Sequence, residues 1–230
     1  MVPRPSRPPV QVPATLDELS VPPVRTLGST VLASAERIAG ALSLERVELP
    51  AALARGEGEW KGSEVEILSH AWSGGSIAWA RLACLHGDGV EAASLLVISK
   101  ASFALPTLGA DLVSLGGRGG MVSASVELDP VGDPPIRRAV RTPRTQLAGE
   151  RLPRAAQVLD AMVDEWIAIA RAAREVDPLF HPTVMRDQES FARAHRTGDK
   201  SLGLVARIFD PRWAEKFLAQ VLFPELGSTK

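Results

Sequence analysis

Between Glu59 and Pro130 the chain is written in short runs of Val, Ile, Leu, Ala and Ser separated by glycine. "EWKGSEVEILSHAW", "SIAWARLACLHGDGVEAASLLVIS", "LGADLVSLGG" and "GMVSASVELDP" are short, rich in Val, Ile, Leu and Ser, and punctuated by glycine turns, which is the pattern of strands. "HGDG" at 86–89 is a hairpin signal between two of the runs. The pattern predicts an antiparallel meander of about five or six strands, a normal size for one sheet. Several runs are almost continuously apolar, which implies a sheet covered on both faces.

The flanking segments supply the cover. "STVLASAERIAGALSLERVEL" puts Leu32, Ala35, Ile38, Ala39 and Leu42 on one helical face, with Ser29 as the expected N-cap. Beyond a basic, proline-broken stretch from Pro134, "AAQVLDAMVDEWIAIARAAREV" aligns Val158, Leu159, Met162, Val163, Trp166 and Ile169. Helices follow at about 184–196, 200–208 and 211–222. The last is marked by Asp210 as N-cap and Pro211 at N1, with Trp213, Phe217, Leu218 and Val221 on its buried face. A helix, then antiparallel strands, then helices predicts an α+β layered domain. The proline-rich start, "MVPRPSRPPVQVP", belongs to a disordered arm taken as 1–24, and 25–230 is read as a single domain.

Composition removes several function classes. The formal net charge is −1, so nothing global points to nucleic acid or a membrane surface. No apolar run reaches membrane-spanning length and the N-terminus has no signal-peptide core, so the expected form is a cytoplasmic protein. The single cysteine, Cys84, excludes an intrachain disulfide and a cysteine-rich cluster, and it reads as a small buried hydrophobe. His70, His86, His181 and His195 are not paired at metal-ligand spacing, so no metal site is expected. "GGRGG" at 116–120 lacks the strand–helix context of a phosphate loop and reads as a turn.

One residue resists that bland reading. Asp111 interrupts Leu105, Leu108, Ala110, Leu112 and Val113. A carboxylate on a buried strand needs a partner or a task; the residues alone leave open a structural aspartate bound to backbone amides.

Two stretches narrow the choice. "FALPTLGADLVSLGG", continuing to "MVSASVELDP", resembles the central strands of the ferredoxin-dependent bilin reductases, and "GDKSLGLVARIFDPRWAEKFLAQVLF" is similar to their last two helices, above all in the phycocyanobilin:ferredoxin oxidoreductase-like members. The similarity runs from about Gly56 to Phe223 and is weakest around 130–180. It implies a three-layer α/β/α sandwich with a central antiparallel sheet, and a linear tetrapyrrole, biliverdin or a close relative, held between sheet and C-terminal helices. It further implies no bound metal or flavin, single electrons from a [2Fe-2S] ferredoxin, protons from the protein, and a monomer.

By the same resemblance Asp111 and Asp199 are the catalytic carboxyl groups and Lys200 meets a propionate. An acid in an apolar, water-poor pocket has its charged form disfavoured and can donate to a pigment that has just gained an electron. Asp199 and Lys200 open a helix, where an anion is favoured and an ammonium can stay wet; an ordinary N-cap followed by an exposed lysine reads the same way. The chain also departs from the family pattern. Leu82 stands where some relatives carry a glutamate and Ser94 where they carry histidine or asparagine, and strand alternation is taken to put Leu82, Ser94, Leu96 and Ile98 on the pocket face. The missing glutamate argues against reduction of an exocyclic vinyl group. A tryptophan expected between 130 and 155 is missing, and His86 is a weaker alternative proton source.

Arg137, Arg138, Arg141, Arg144, Arg151 and Arg154 have almost no acidic residues among them. They form either a docking face for an acidic ferredoxin or a solvated loop. Two further functions are compatible with the chain: a tetrapyrrole-binding protein without catalysis, and a reductase of another linear tetrapyrrole such as a red chlorophyll catabolite.

Overall fold

The computed structural model describes residues 26–115, 121–129, 144–148, 152–198 and 200–225; for 121–129, 144–148, 152–154, 197–198 and 200–202 it describes the backbone alone. The arm at 1–24, the "GGRGG" turn, Asp199 and the side chain of Lys200 lie outside the described residues, as do the side chains of the arginine cluster from Arg137 to Arg154.

Helix α1, Leu27–Ala41, opens the described chain. Its N-cap is Thr26, not Ser29: the Thr26 hydroxyl accepts from Ser29 N and the Ser29 hydroxyl accepts from Thr26 N, a reciprocal capping box. The helix also stops earlier than its apolar spacing suggests. Ser43, at φ 52, turns the chain into β1, Glu45–Val47, and a single turn, α2, Ala51–Ala54, leads to β2.

Strands β2 (Arg55–Trp60), β3 (Ser63–Gly74), β4 (Ile77–Gly87), β5 (Val90–Ser99), β6 (Thr107–Leu115), β7 (Met121–Asp129) and β8 (Arg144–Ala148) complete one antiparallel sheet. Its order is β1-β3-β4-β5-β6-β7-β8, with β2 also pairing β3. Among the described residues the sheet therefore has eight strands, more than the five or six expected, because short strands at either end carry too few residues to show a period.

Helix α3, Leu152–Ala172, packs beside α1 on one face. Leu82, Leu95, Val97, Leu108, Ala110 and Leu112 point there, against Val31, Ile38, Leu159, Val163 and Trp166. Trp166 is fully buried and donates from Nε1 to the Pro106 carbonyl oxygen at 2.9 Å, tying α3 to the approach to β6. Each such large side chain contributes about 1.5–3 kcal/mol of burial.

The opposite face receives α4 (His181–Gly198), α5 (Lys200–Ile208) and α6 (Pro211–Phe217). Asp210 caps α6 as expected, accepting from Arg212 N and Trp213 N, and Pro211 takes the first turn. The helix does not run on to 222 in α form. Residues Leu218–Leu222 make a π-helical turn closed by Phe223 N donating to Leu218 O at 2.9 Å. Val65, Ile67, Leu85, Leu96 and Ile98 meet Phe209, Phe217, Val221 and Phe223 on this face. Gly56 and Gly58 allow the close approach: a Cβ on Gly56 would sit 2.6 Å from Trp213 Cζ2, and one on Gly58 would collide with the Ile208 carbonyl oxygen. The molecule is an α+β three-layer sandwich with a central antiparallel sheet.

Candidate functional site

The strand that posed the question about Asp111 is buried on one side only. Leu108, Ala110 and Leu112 face α1 and α3 and are fully buried, while Asp111 alternates to the other face and is exposed. The expectation of an aspartate sunk among leucines is thus corrected: the leucines point away from it. The space beside it is open as well. A Cβ on Gly109, two residues earlier on the same face, would meet no described atom within 4 Å. Among the described residues the C-terminal helices cover the β3–β5 part of this face, where Ile67, Leu85 and Leu96 are buried, and Asp111 on β6 stays exposed.

Register joins the sequence-predicted positions into a rung across the sheet. Ser69 pairs with Ala83, Ala83 with Ser94, Ser94 with Asp111, Asp111 with Ser125, and Ser125 with Gln146. Directly opposed residues share a face, with Cβ atoms about 5 Å apart. Ser94 and Asp111 are therefore neighbours on the open side, and Leu96 and Ile98 are buried on the same side under the C-terminal helices. Leu82 is not with them. It is fully buried on the α1–α3 side, opposite Leu95, so its place as a pocket-facing residue is corrected. His86 sits one pair from the hairpin end, opposite Glu91, and is exposed.

The residue that takes the face assigned to Leu82 is Arg81, which the sequence reading missed. It is buried and touches three elements at once. Nη1 donates to Ser94 Oγ at 2.6 Å and to Ser94 O at 3.0 Å, and Nε reaches Leu222 O at 3.4 Å. The guanidinium carbon lies 5.7 Å from the centre of the Phe223 ring. Trp79, two residues earlier on the same face, donates from Nε1 to Val221 O at 3.1 Å. The π-helical turn interrupts the ordinary i→i+4 pattern just before the chain leaves the helix, and β4 takes two of its carbonyl groups with side chains. His195 of α4 stacks on Phe223 with ring centres 5.6 Å apart and lies tilted against Phe191 at 4.2 Å, closing the helical side of the same corner.

A second opening lies elsewhere. A cleft of about 1500 Å³ runs beside α4 along the β1, β3 and β4 end of the sheet, lined by Val47, Ser73, Trp79, Lys100, Gln188 and Arg196 among others, and it does not include Asp111. Cys84 is no part of either opening. It sits against Gly28 of α1, and burial, reinforced by the charge of Glu91, pushes its thiol up to about 12. Among the described residues no group of three or more His, Cys, Asp or Glu is placed to hold a metal ion, and no helix is long and apolar enough to cross a membrane.

No family model matches the sequence. The fold, however, is similar to the crystal structure of phytochromobilin synthase from tomato in complex with biliverdin, with a TM-score of 0.72 over 88% of this chain and 84% of that one, at 12% identity. At that identity the likeness establishes a shared fold.

Proposed function

We propose that this chain binds a linear tetrapyrrole, biliverdin or a close relative, over the Ser94–Asp111 rung and reduces it with single electrons from a ferredoxin. The observation that carries the reading is an exposed aspartate on the sheet face that the C-terminal helices partly cover, in a fold shared with a protein solved with biliverdin. A flat, largely apolar pigment laid there would occupy the space above Gly109 and cover Asp111.

Covering Asp111 changes its chemistry. A pigment laid over the carboxylate withdraws water from it, and its neutral form gains ground. When an electron arrives from reduced ferredoxin, negative charge develops on the tetrapyrrole and a proton from the Asp111 carboxyl group can neutralise it. Reduction of one carbon–carbon double bond takes two electrons from two ferredoxins and two protons; Asp111 supplies one, and Asp199 is assigned the other by its position in the motif "GDK". Lys200 is assigned a propionate. Leu96 and Ile98 belong to the apolar floor under the helices rather than to the open surface, so their part is to set the height of that floor.

The competing reading is a tetrapyrrole carrier that does no chemistry, favoured by Leu82 and Ser94 standing where some relatives carry glutamate and histidine or asparagine. One anaerobic experiment separates the two. Protein, biliverdin and a ferredoxin-reducing system are mixed and spectra followed; reduction shortens the conjugated system and moves the long-wavelength band to the blue. Binding without that movement leaves the carrier, and no binding at all sinks both.

A further inference from the structure

Arg81 sends its charge into the middle of the sheet face, and the hydrogen-bond directions there have a consequence for the pigment. Ser94 Oγ accepts from Arg81 Nη1 at 2.6 Å, a short charge-assisted contact. A hydroxyl has one proton. With the guanidinium occupying its acceptor side, that proton turns away from β4, toward the open face that Ser94 shares with Asp111. Resting on the reading above, we propose that Arg81 is a positioning residue that fixes the Ser94 hydroxyl as a hydrogen-bond donor to an oxygen or nitrogen of the bound tetrapyrrole and sets a permanent positive charge beneath it.

The second half follows from what a guanidinium is. It stays protonated throughout the working pH range, so the charge cannot be discharged by giving up a proton. Its anchorage is rigid: β4 carries it, Ser94 and Leu222 receive its donors, and the Phe223 ring covers it. A fixed cation beneath the pigment favours the form that has gained an electron and opposes the form that has gained a proton before reduction. Register also places Asp111, Glu127, Asp129 and Arg144 on this face, with Glu45 at its far edge, and His195 approaches from α4 through its stack on Phe223.

The test uses the whole chain loaded with biliverdin. An optical pH titration of the bound pigment reads the charge. In Arg81→Met the pigment should take its proton about one pH unit higher than in the unaltered protein, and Arg81→Lys should restore the original midpoint. Ser94→Ala keeps the arginine and its anchor to Leu222, and should weaken biliverdin binding about threefold to tenfold. A purely structural Arg81 would lower thermal stability and leave the pigment's titration where it was. Coincident titrations of Arg81→Met and the unaltered protein overturn the charge assignment; unchanged affinity in Ser94→Ala overturns the orienting one, and decides even should Arg81→Met not fold. Absence of binding by the unaltered protein instead sinks the functional reading, and this inference with it.

Discussion

Ser94 of β5 and Asp111 of β6 stand directly opposite each other in the antiparallel ladder, at the margin of the area that the C-terminal helices cover. The pair joins a half-buried hydroxyl, tied to a buried arginine, to an exposed carboxylate. Acid and hydrogen-bond donor then come from adjacent strands of a rigid sheet, so their separation does not depend on any loop.

Replacing Asp111 by Asn keeps shape and hydrogen bonding but removes the acid. The variant should bind biliverdin with nearly unchanged affinity and lose at least about a hundredfold in reduction rate, the ordinary scale of general acid catalysis. Spectra should show the pigment stopping after the first electron. Turnover at the normal rate would remove Asp111 from the mechanism.

Gly109→Val tests where the pigment lies. The added side chain meets open space above β6 and suits a strand, so thermal stability should hold or rise slightly. Binding should fall by tenfold or more if the pigment rests on this half of the face. A ligand seated in the cleft beside α4 would be indifferent to the change, and Ala192→Trp on that helix would exclude it instead.

Gly58→Ala tests the approach of α5 to β2. The new methyl meets the Ile208 carbonyl oxygen and lies 2.9 Å from Phe209 Cδ1, and a backbone oxygen cannot move aside as a side chain can. Stability to urea should drop by about 1–3 kcal/mol. Gly40→Ala, in α1 with nothing around it, should instead gain about 0.5–1 kcal/mol and serves as the control.

His70 contributes a pH dependence of known sign. Burial and the Arg46 guanidinium beside its Nδ1 hold its pKa below the ordinary 6.5, with Glu36 opposing them. The folded protein thus prefers the neutral ring, and this contribution to stability is complete above pH 6.5 and lost as the pH falls toward the lowered value. The stability difference between the unaltered protein and His70→Gln should shrink over that interval; a constant difference would show that the ring titrates alike in both states.

Cys84 should be inert in the folded protein. With its thiol pushed up to about 12, the thiolate at pH 8 is about one part in ten thousand. A disulfide reagent should label one thiol per chain after denaturation and almost none before. Rapid labelling of the folded protein would mean that α1 lifts readily from the sheet.

The primary structure by itself determined the layers. Short apolar runs punctuated by glycine and helical stripes of period 3.6 are local properties, and they specify strands, helices and the apolar side of each helix without reference to the rest of the chain. Asp210 and Pro211 could be read as the start of α6 for the same reason, and Asp111 stood out because a charge among leucines is visible in one dimension. The end strands were missed because a three-residue run such as Glu45–Val47 has no period; pairing with β3 makes it a strand. Which residues look at one another was a tertiary decision. Leu82 and Ser94 were set on one face by counting, yet the two-residue turn Asp88–Gly89 pairs odd positions with even ones, so Leu82 turns to the α1–α3 core and Arg81 takes its place beside Ser94. The Asp-Gly turn was a usable signal for that register. Nothing local could reveal that Arg81 would find partners in Leu222 and Phe223, because sequence separation carries no record of the distance to which folding reduces it.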